Sequence, residues 1–239
     1  MAGTLSFPRP LTTVDVVIFS ASATALEVLL VRRPEGTDDP FPDTWALPGG
    51  FIDTAHDNDL EACALRKLKE KTGVRAPYVE QLGSWGSASR DPRGWSATHA
   101  YFSLISADDR AFAEEHPGSQ PARWFQVEGA RVKERLAFDH AEILKAAVNR
   151  LRNKVEYTSL PAFLMPSEFT LSELQRVHEV LLDRTLEKKA FRTRILASNL
   201  LEELPRKKEG ANRPAQLYRL KNKKAPIYFA RAIVKGGGS

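Results

Sequence analysis

The sequence predicts an α+β chain in two units: strands interspersed with helices, then a helix–turn–helix closed by a hairpin and a strand. Three observations predict it. Short apolar, β-branched runs are interspersed with two amphipathic helical stretches as far as about residue 152. A proline-bounded segment, SLPAFLMP at 159–166, then breaks the pattern. Beyond it come two helical stripes, a basic proline-bounded stretch and one more strand. The units are expected over residues 10–152 and 153–235, each of ordinary domain size.

In chain order, residues 14–19 and 26–32 are strand-like runs joined across 21–24. A loop rich in Pro, Gly and Asp fills 34–43, and TWALPGG at 44–50 reads as a short strand leading into a Gly-Gly turn. A helix is expected over about 57–71, with Leu60, Cys63, Ala64 and Leu68 on its apolar side and Gly73 as its stop. Residues 78–87 and 96–106 read as strands flanking a polar loop, and 121–127 as another. Ile143, Leu144, Ala147, Val148 and Leu151 have helical spacing within 140–152. In the second unit, Thr170 and Glu173 form a capping-box pair before a helix bearing Leu174, Val177, Val180 and Leu181. A turn at 183–185 precedes a second helix, expected over 187–204, whose stripe is Phe191, Ile195, Leu196, Leu200 and Leu201. A basic hairpin at 205–214 and a strand at 215–220 follow, and the closing Gly236, Gly237, Gly238 and Ser239 read as a flexible tail.

Composition narrows the class. Hydrophobic content of 42% and charged content of 27% suit a globular protein. No apolar run approaches the ~20 residues of a membrane helix, and the first residues lack the pattern of a signal peptide. The lone cysteine, Cys63, forbids an internal disulfide and reads as a buried, inert thiol, so a cytoplasmic protein is expected. Net charge is +5 but uneven: residues from 151 onward hold 18 of the 35 Lys+Arg and 9 of the 30 Asp+Glu, which points the second unit toward a polyanion.

The chemistry concentrates at 49–74, GGFIDTAHDNDLEACALRKLKEKTGV. This stretch resembles the Nudix box: a Gly, five residues, a Glu, seven residues, then Arg-Glu-aliphatic-any-Glu-Glu-any-Gly-aliphatic. Arg66, Leu68, Glu70, Gly73 and Val74 fall on that frame. Lys67 and Lys71 stand where two of its Glu belong, Asn58 stands where the upstream Glu would be, and the loop is two positions longer. In that family Glu side chains on this helix hold divalent cations, which need hard oxygen ligands. Positions 67, 70 and 71 share a helix face; two ammonium groups there repel a cation but attract a diphosphate. No catalytic residue is assigned, and Glu70 is the remaining candidate metal ligand, with Asp53, Asp57 and Asp59 nearby as substitutes.

Helix, turn, helix, basic hairpin and strand is the order of a winged helix-turn-helix. The second helix of such a unit enters the major groove, with its N-terminal residues near base edges. Here Lys188, Lys189, Arg192, Thr193 and Arg194 occupy that position, and the wing offers Arg206, Lys207, Lys208 and Arg213. RNA in place of DNA is the other reading of the same charges.

A degenerate Nudix domain followed by a winged helix resembles the Nudix-related transcriptional regulators, the NrtR family, from about residue 14 to 220. The resemblance implies a Nudix fold with a mixed sheet between helices in the first unit, a bacterial repressor of NAD biosynthesis or salvage genes, a homodimer on a palindromic operator of double-stranded DNA, and ADP-ribose as effector with no required cofactor. Candidate effector contacts are Arg32, Gly49, Gly50, Arg66, Glu70, Arg90 and Arg93, with Phe19, Trp45 or Trp95 stacking on adenine. The alternative is a working, metal-dependent ADP-ribose or nucleotide-sugar pyrophosphatase.

Overall fold

The computed structural model describes residues 9–36, 39–74, 78–209, 214–222 and 225–229. Arg213 and the terminal Gly236–Ser239 stretch lie outside them. The fold is α+β. Its first sheet contains β1 (Leu11–Ala21), β2 (Leu26–Arg32), β3 (Trp45–Ala46), β4 (Gly49–Phe51), β5 (Val79–Ser87), β6 (Ser96–Leu104) and β7 (Ala122–Gln126). The order is β3-β2-β1-β6-β5, with β4 also on β1 and β7 on β2. β1 and β6 run parallel and the other pairs antiparallel, so the sheet is mixed.

β1 is the axis. Residues 14–20 are all buried, as expected of a strand covered on both faces. Val14, Val16 and Ile18 face α1 (Leu60–Thr72) and α2 (Ala107–Glu115) through Cys63, Ala64, Leu68 and Ala113. Val17 and Phe19 point the other way, toward Ile143, Leu144, Ala147 and Val148 of α3 (His140–Val155). The same apolar cluster continues past α3 through the 3-10 turn Leu160–Leu164 into the second unit, where it takes in Leu174, Leu181, Phe191, Ile195 and Tyr218. That unit contains β8 (Phe169–Thr170), α4 (Leu171–Leu182), α5 (Lys188–Ala197), β9 (Leu201–Lys208) and β10 (Ala215–Leu220), with an antiparallel sheet in the order β8-β10-β9.

Most expected elements form, with three differences. α1 starts at Leu60 because Asp59 is its N-cap, accepting from the Ala62 N–H at 2.7 Å. It ends where expected, at Gly73, whose φ of 75° is left-handed and whose absent Cβ would meet the His116 carbonyl oxygen. α2 was not expected, although Ser106 and Asp109 give it a capping box. The helix expected over 187–204 stops at Ala197: Asn199 takes a left-handed φ of 55°, and Leu201–Lys208 pairs with β10. Asn tolerates that conformation better than a bulky residue, and Pro205 cannot continue a helix. Leu200 and Leu201 therefore reach the core from the first strand of the wing and its approach.

His178 lies on the inner face of α4, edge-on to Phe191. Its Nδ1 meets the Leu174 carbonyl at 2.9 Å, and burial lowers its pKa to about 4. The unfolded chain takes up a proton near its ordinary value of 6.5, so this contribution to stability is complete above that pH and is lost as pH falls toward 4. Between about pH 7 and about pH 5 the loss should be about 2 kcal/mol. Denaturant unfolding of the parent should show this slope, and His178→Gln should flatten it; an equal slope in the variant would remove His178 as its source.

Candidate ligand cavity and nucleic-acid face

The turn that opens the box is set by contacts no side chain would survive. A Cβ on Gly49 would lie 2.0 Å from Asp15 Oδ1 and 2.4 Å from the Val14 carbonyl oxygen. Gly50 has a φ of 152°, which favours glycine, and the Lys67 ammonium passes 3.5 Å from where its Cβ would be. These two residues thus bring β4 flush against β1 and lay the box helix across the turn.

Beside this turn is a cavity lined by Gly49, Gly50, Phe51, Asp15, Arg33, Asp39, Lys71, Arg90, Asp91, Arg93, Gln120, Phe138 and His140, among others. Arg90 is its deepest cation, with a side chain only 5% exposed. It donates twice to Asp139, at 2.8 and 2.9 Å, and stands 3.8 Å from Asp15. Burial alone would raise the Asp15 carboxyl, but His140, Thr98 and Arg90 outweigh it and hold the pKa below the ordinary carboxylate range. Arg93 is held at the rim by Asp91, at 2.8 and 3.0 Å, over the ring of Phe51. Arg33 pairs with Asp39 and lies 4.8 Å from the Phe138 ring centroid.

Lys71 is electrostatically different. Its Nζ donates to Gln120 Oε1 at 3.2 Å, and among the described residues no carboxylate lies within ion-pair distance of it. Burial, then the charges of Lys67 and Arg33, push its pKa down. A half-buried ammonium among cations favours an anion as its neighbour.

Of the expected effector contacts, the structure gathers Gly49, Gly50, Arg90 and Arg93 around this cavity and leaves the other three outside it. Arg32 is paired with Asp43 and stacked on Trp45. Arg66 grips Asp57 through two hydrogen bonds, with side-chain exposures of 23% and 1%, and also reaches Glu70 at 3.1 Å. Glu70 is therefore flanked by Arg66 and, at 3.9 Å, by Lys67. Asp53, Asp57 and Asp59 bind the turn before α1 and cap it, so they do not converge on Glu70 as metal ligands. Among the described residues no three His, Cys, Asp or Glu are grouped to hold a metal ion, and the box face does not fit the divalent cation its fold implies. Phe19 is 0% exposed in the core, Trp45 packs edge-on against Phe125 and Trp95 is 52% exposed; the aromatic rings lining the cavity are Phe51 and Phe138. Arg33, Asp15, Phe138 and His140 were missed because they come from distant segments, and no local motif marks them. Cys63 is buried as expected, and burial pushes its thiol up to about 11.

On the second unit Lys188 and Lys189 are exposed at the start of α5 and Thr193 midway along it, and the first N–H groups of the helix are capped by Glu187. Arg194 is half-buried. Arg192 turns back toward α4 and donates to Ser172 Oγ at 3.1 Å, so it ties the two helices together. In the wing Lys207 is exposed, while Arg206 pairs with Glu168 and Lys208 with Glu173 at 2.7 Å.

A glycine turn, box helix and arginine loop around one cavity, joined to a winged helix with an exposed basic helix end, define a Nudix-type chain carrying a nucleic-acid-binding module. The comparisons agree. The NUDIX domain family matches residues 9–147, and the NrtR DNA-binding winged helix domain matches 161–220. The chain is 47% identical over 227 residues to the ADPR responsive transcriptional repressor NtrR of Acinetobacter baylyi, covering 95% of this chain and 88% of the relative. Its structure is similar to that of Shewanella oneidensis NrtR complexed with a 27mer DNA, with a TM-score of 0.83 and 41% identity over 93% of this chain and 99% of that one. An ADP-ribose pyrophosphatase of Methanocaldococcus jannaschii is 29% identical over half of this chain and 64% of its own length. The chain belongs to the NrtR family, a Nudix domain followed by a winged helix. No helix among the described residues is long and apolar enough to cross a membrane.

The Arg66–Asp57 pair sets a test of the box loop. The Arg66 guanidinium holds the Asp57 carboxyl far below its ordinary range. Its contribution to stability is present above the unfolded value of about 4 and fades as pH falls through the folded one. Arg66→Ala should lower Tm at neutral pH, and the gap to the parent should close in acid, below about pH 4. A gap that is the same at both ends of that range would show that the guanidinium acts through packing alone.

Proposed function

We propose that this protein is a cytoplasmic transcriptional repressor whose Nudix domain binds ADP-ribose without cleaving it and thereby controls DNA binding by the winged helix. The single observation that carries this reading is Lys71. It stands on the box helix where a metal-binding Glu is expected, faces the cavity, and has no carboxylate partner among the described residues. A diphosphate seated against Lys71, Arg33 and Arg93 would supply the missing negative charge. Hydrolysis by this fold needs carboxylates to hold a cation; Lys67 and Lys71 supply the opposite charge on that face. The name of the Acinetobacter relative and the DNA complex of the Shewanella relative support the effector and the partner.

The DNA is read by α5, with Lys188 and Lys189 at its leading end, Thr193 midway along it and Lys207 on the wing. Arg206 and Lys208 reach phosphates only after leaving Glu168 and Glu173, so their contribution is the net of two similar ion pairs. A homodimer places two such helices on the half-sites of a palindromic operator, about one helical turn apart. The regulated genes on this reading are those of NAD biosynthesis or salvage.

The test is fluorescence anisotropy with a duplex selected in vitro against this protein. Saturating ADP-ribose should weaken its binding by about 5- to 150-fold, the usual range for coupled sites. DNA affinity that is unchanged at saturating ADP-ribose would sink the proposal.

A further inference from the structure

The cavity and the winged helix share one rigid element. α3 is 16 residues long, so about 24 Å, and its first turn is part of the cavity. Asp139 occupies its N-cap position. An Asp there ordinarily accepts hydrogen bonds from the first free N–H groups of its own helix. Here the Asp139 side chain makes no capping hydrogen bond and is spent entirely on Arg90, at 2.8 and 2.9 Å. The next residue, His140, is also tied to the cavity wall. Its Nδ1 accepts from the Leu47 N–H at 2.9 Å, and its Nε2 faces Asp15 at 3.6 Å. Phe138, just upstream, adopts a left-handed φ of 52° and lies beneath Arg33 and Arg90. Non-glycine residues hold that conformation only where the surroundings impose it.

The other end of α3 is tied to the second unit. Leu151 and Val155 belong to the cluster that contains Leu174, Val177 and Leu181 of α4. Arg152 donates from Nε to the Leu181 carbonyl at 3.2 Å, at the last turn of α4. Just beyond, Glu156 pairs with Arg184 in the turn that leads to α5 at 2.7 Å.

We propose that α3 is the transmission element of this protein, with Asp139 as the positioning residue at its sensing end and Arg152 as the positioning residue at its output end. An anion in the cavity competes with Asp139 and Asp15 for Arg90. The Asp139 carboxylate, loosened from Arg90, is then free to cap its own helix, so the first turn of α3 has two arrangements that differ in ligand affinity. The α3–α4 contact carries the difference to the helix pair that meets DNA. This inference rests on the functional reading above.

Reciprocity provides the test. ADP-ribose affinity is measured calorimetrically on the full chain, free and bound to the selected duplex, for the parent and for Asp139→Asn and Arg152→Ala. The parent should show a ratio of at least about 5 between the two affinities. Each variant should bring the ratio near one, and Arg152→Ala should do so with the free-protein affinity kept. A merely structural role would change both affinities together and leave the ratio intact, which would overturn the inference. A parent ratio of one would overturn the functional reading instead. Should a variant fold poorly, hydrogen exchange on the parent decides. ADP-ribose should change protection at both ends of α3; a change confined to the cavity loops would also overturn the inference.

Discussion

The burial of Arg90 between Asp15 and Asp139 is the constraint on which the rest of the structure depends. One guanidinium, 5% exposed, joins the central strand, the loop after β5 and the residue before α3. Buried ion pairs of this kind contribute little to net stability, because desolvation opposes them, but losing one partner is costly, at about 3–5 kcal/mol. That cost ties the three segments to one another in this structure. The glycine turn depends on that arrangement as well, since Gly49 fits only where Asp15 and the Val14 carbonyl leave room for a hydrogen atom.

Around that contact the cavity lining carries four Lys and Arg against three Asp. Its carboxylates are each engaged: Asp15 and Asp91 with arginines lining the cavity, Asp39 with Arg33 and, more distantly, Arg93. Among the described residues Lys71 has none within ion-pair distance, and Lys67 lies beside it across Gly50. A cation platform would place Glu at both positions. On the proposed function, two ammonium groups in place of two carboxylates favour phosphate over a metal as occupant, and the backbone is unaltered because Lys and Glu are both good helix formers.

Most sheet strands and the helices α1, α3 and α4 were legible because their apolar spacing is local and strong, and the glycine stop of α1 and the capping box of α4 are local too; α2, which buries only Ala113, was not. The end of α5 was not: Leu200 and Leu201 continue its apolar stripe, and only the strand pairing of 201–208 with β10 overrides it. The cavity was half legible. Gly49, Gly50, Arg90 and Arg93 lie in recognisable motifs, whereas Arg33, Phe138 and His140 reach it only through the sheet and α3. Local spacing also does not show that Arg66 pairs with Asp57, nine residues earlier, which the expanded loop folds back onto it. Arg192 has a similar history, since helical spacing does not show that its guanidinium turns back to Ser172.

On the proposed function, ammonium groups and not a metal hold the diphosphate. The most direct measurement is calorimetric titration of ADP-ribose in EDTA and again in millimolar magnesium or manganese, with the second sample assayed for AMP. The affinity should be the same in both, with no AMP formed. Binding that appears only with the metal, accompanied by release of AMP, would contradict it.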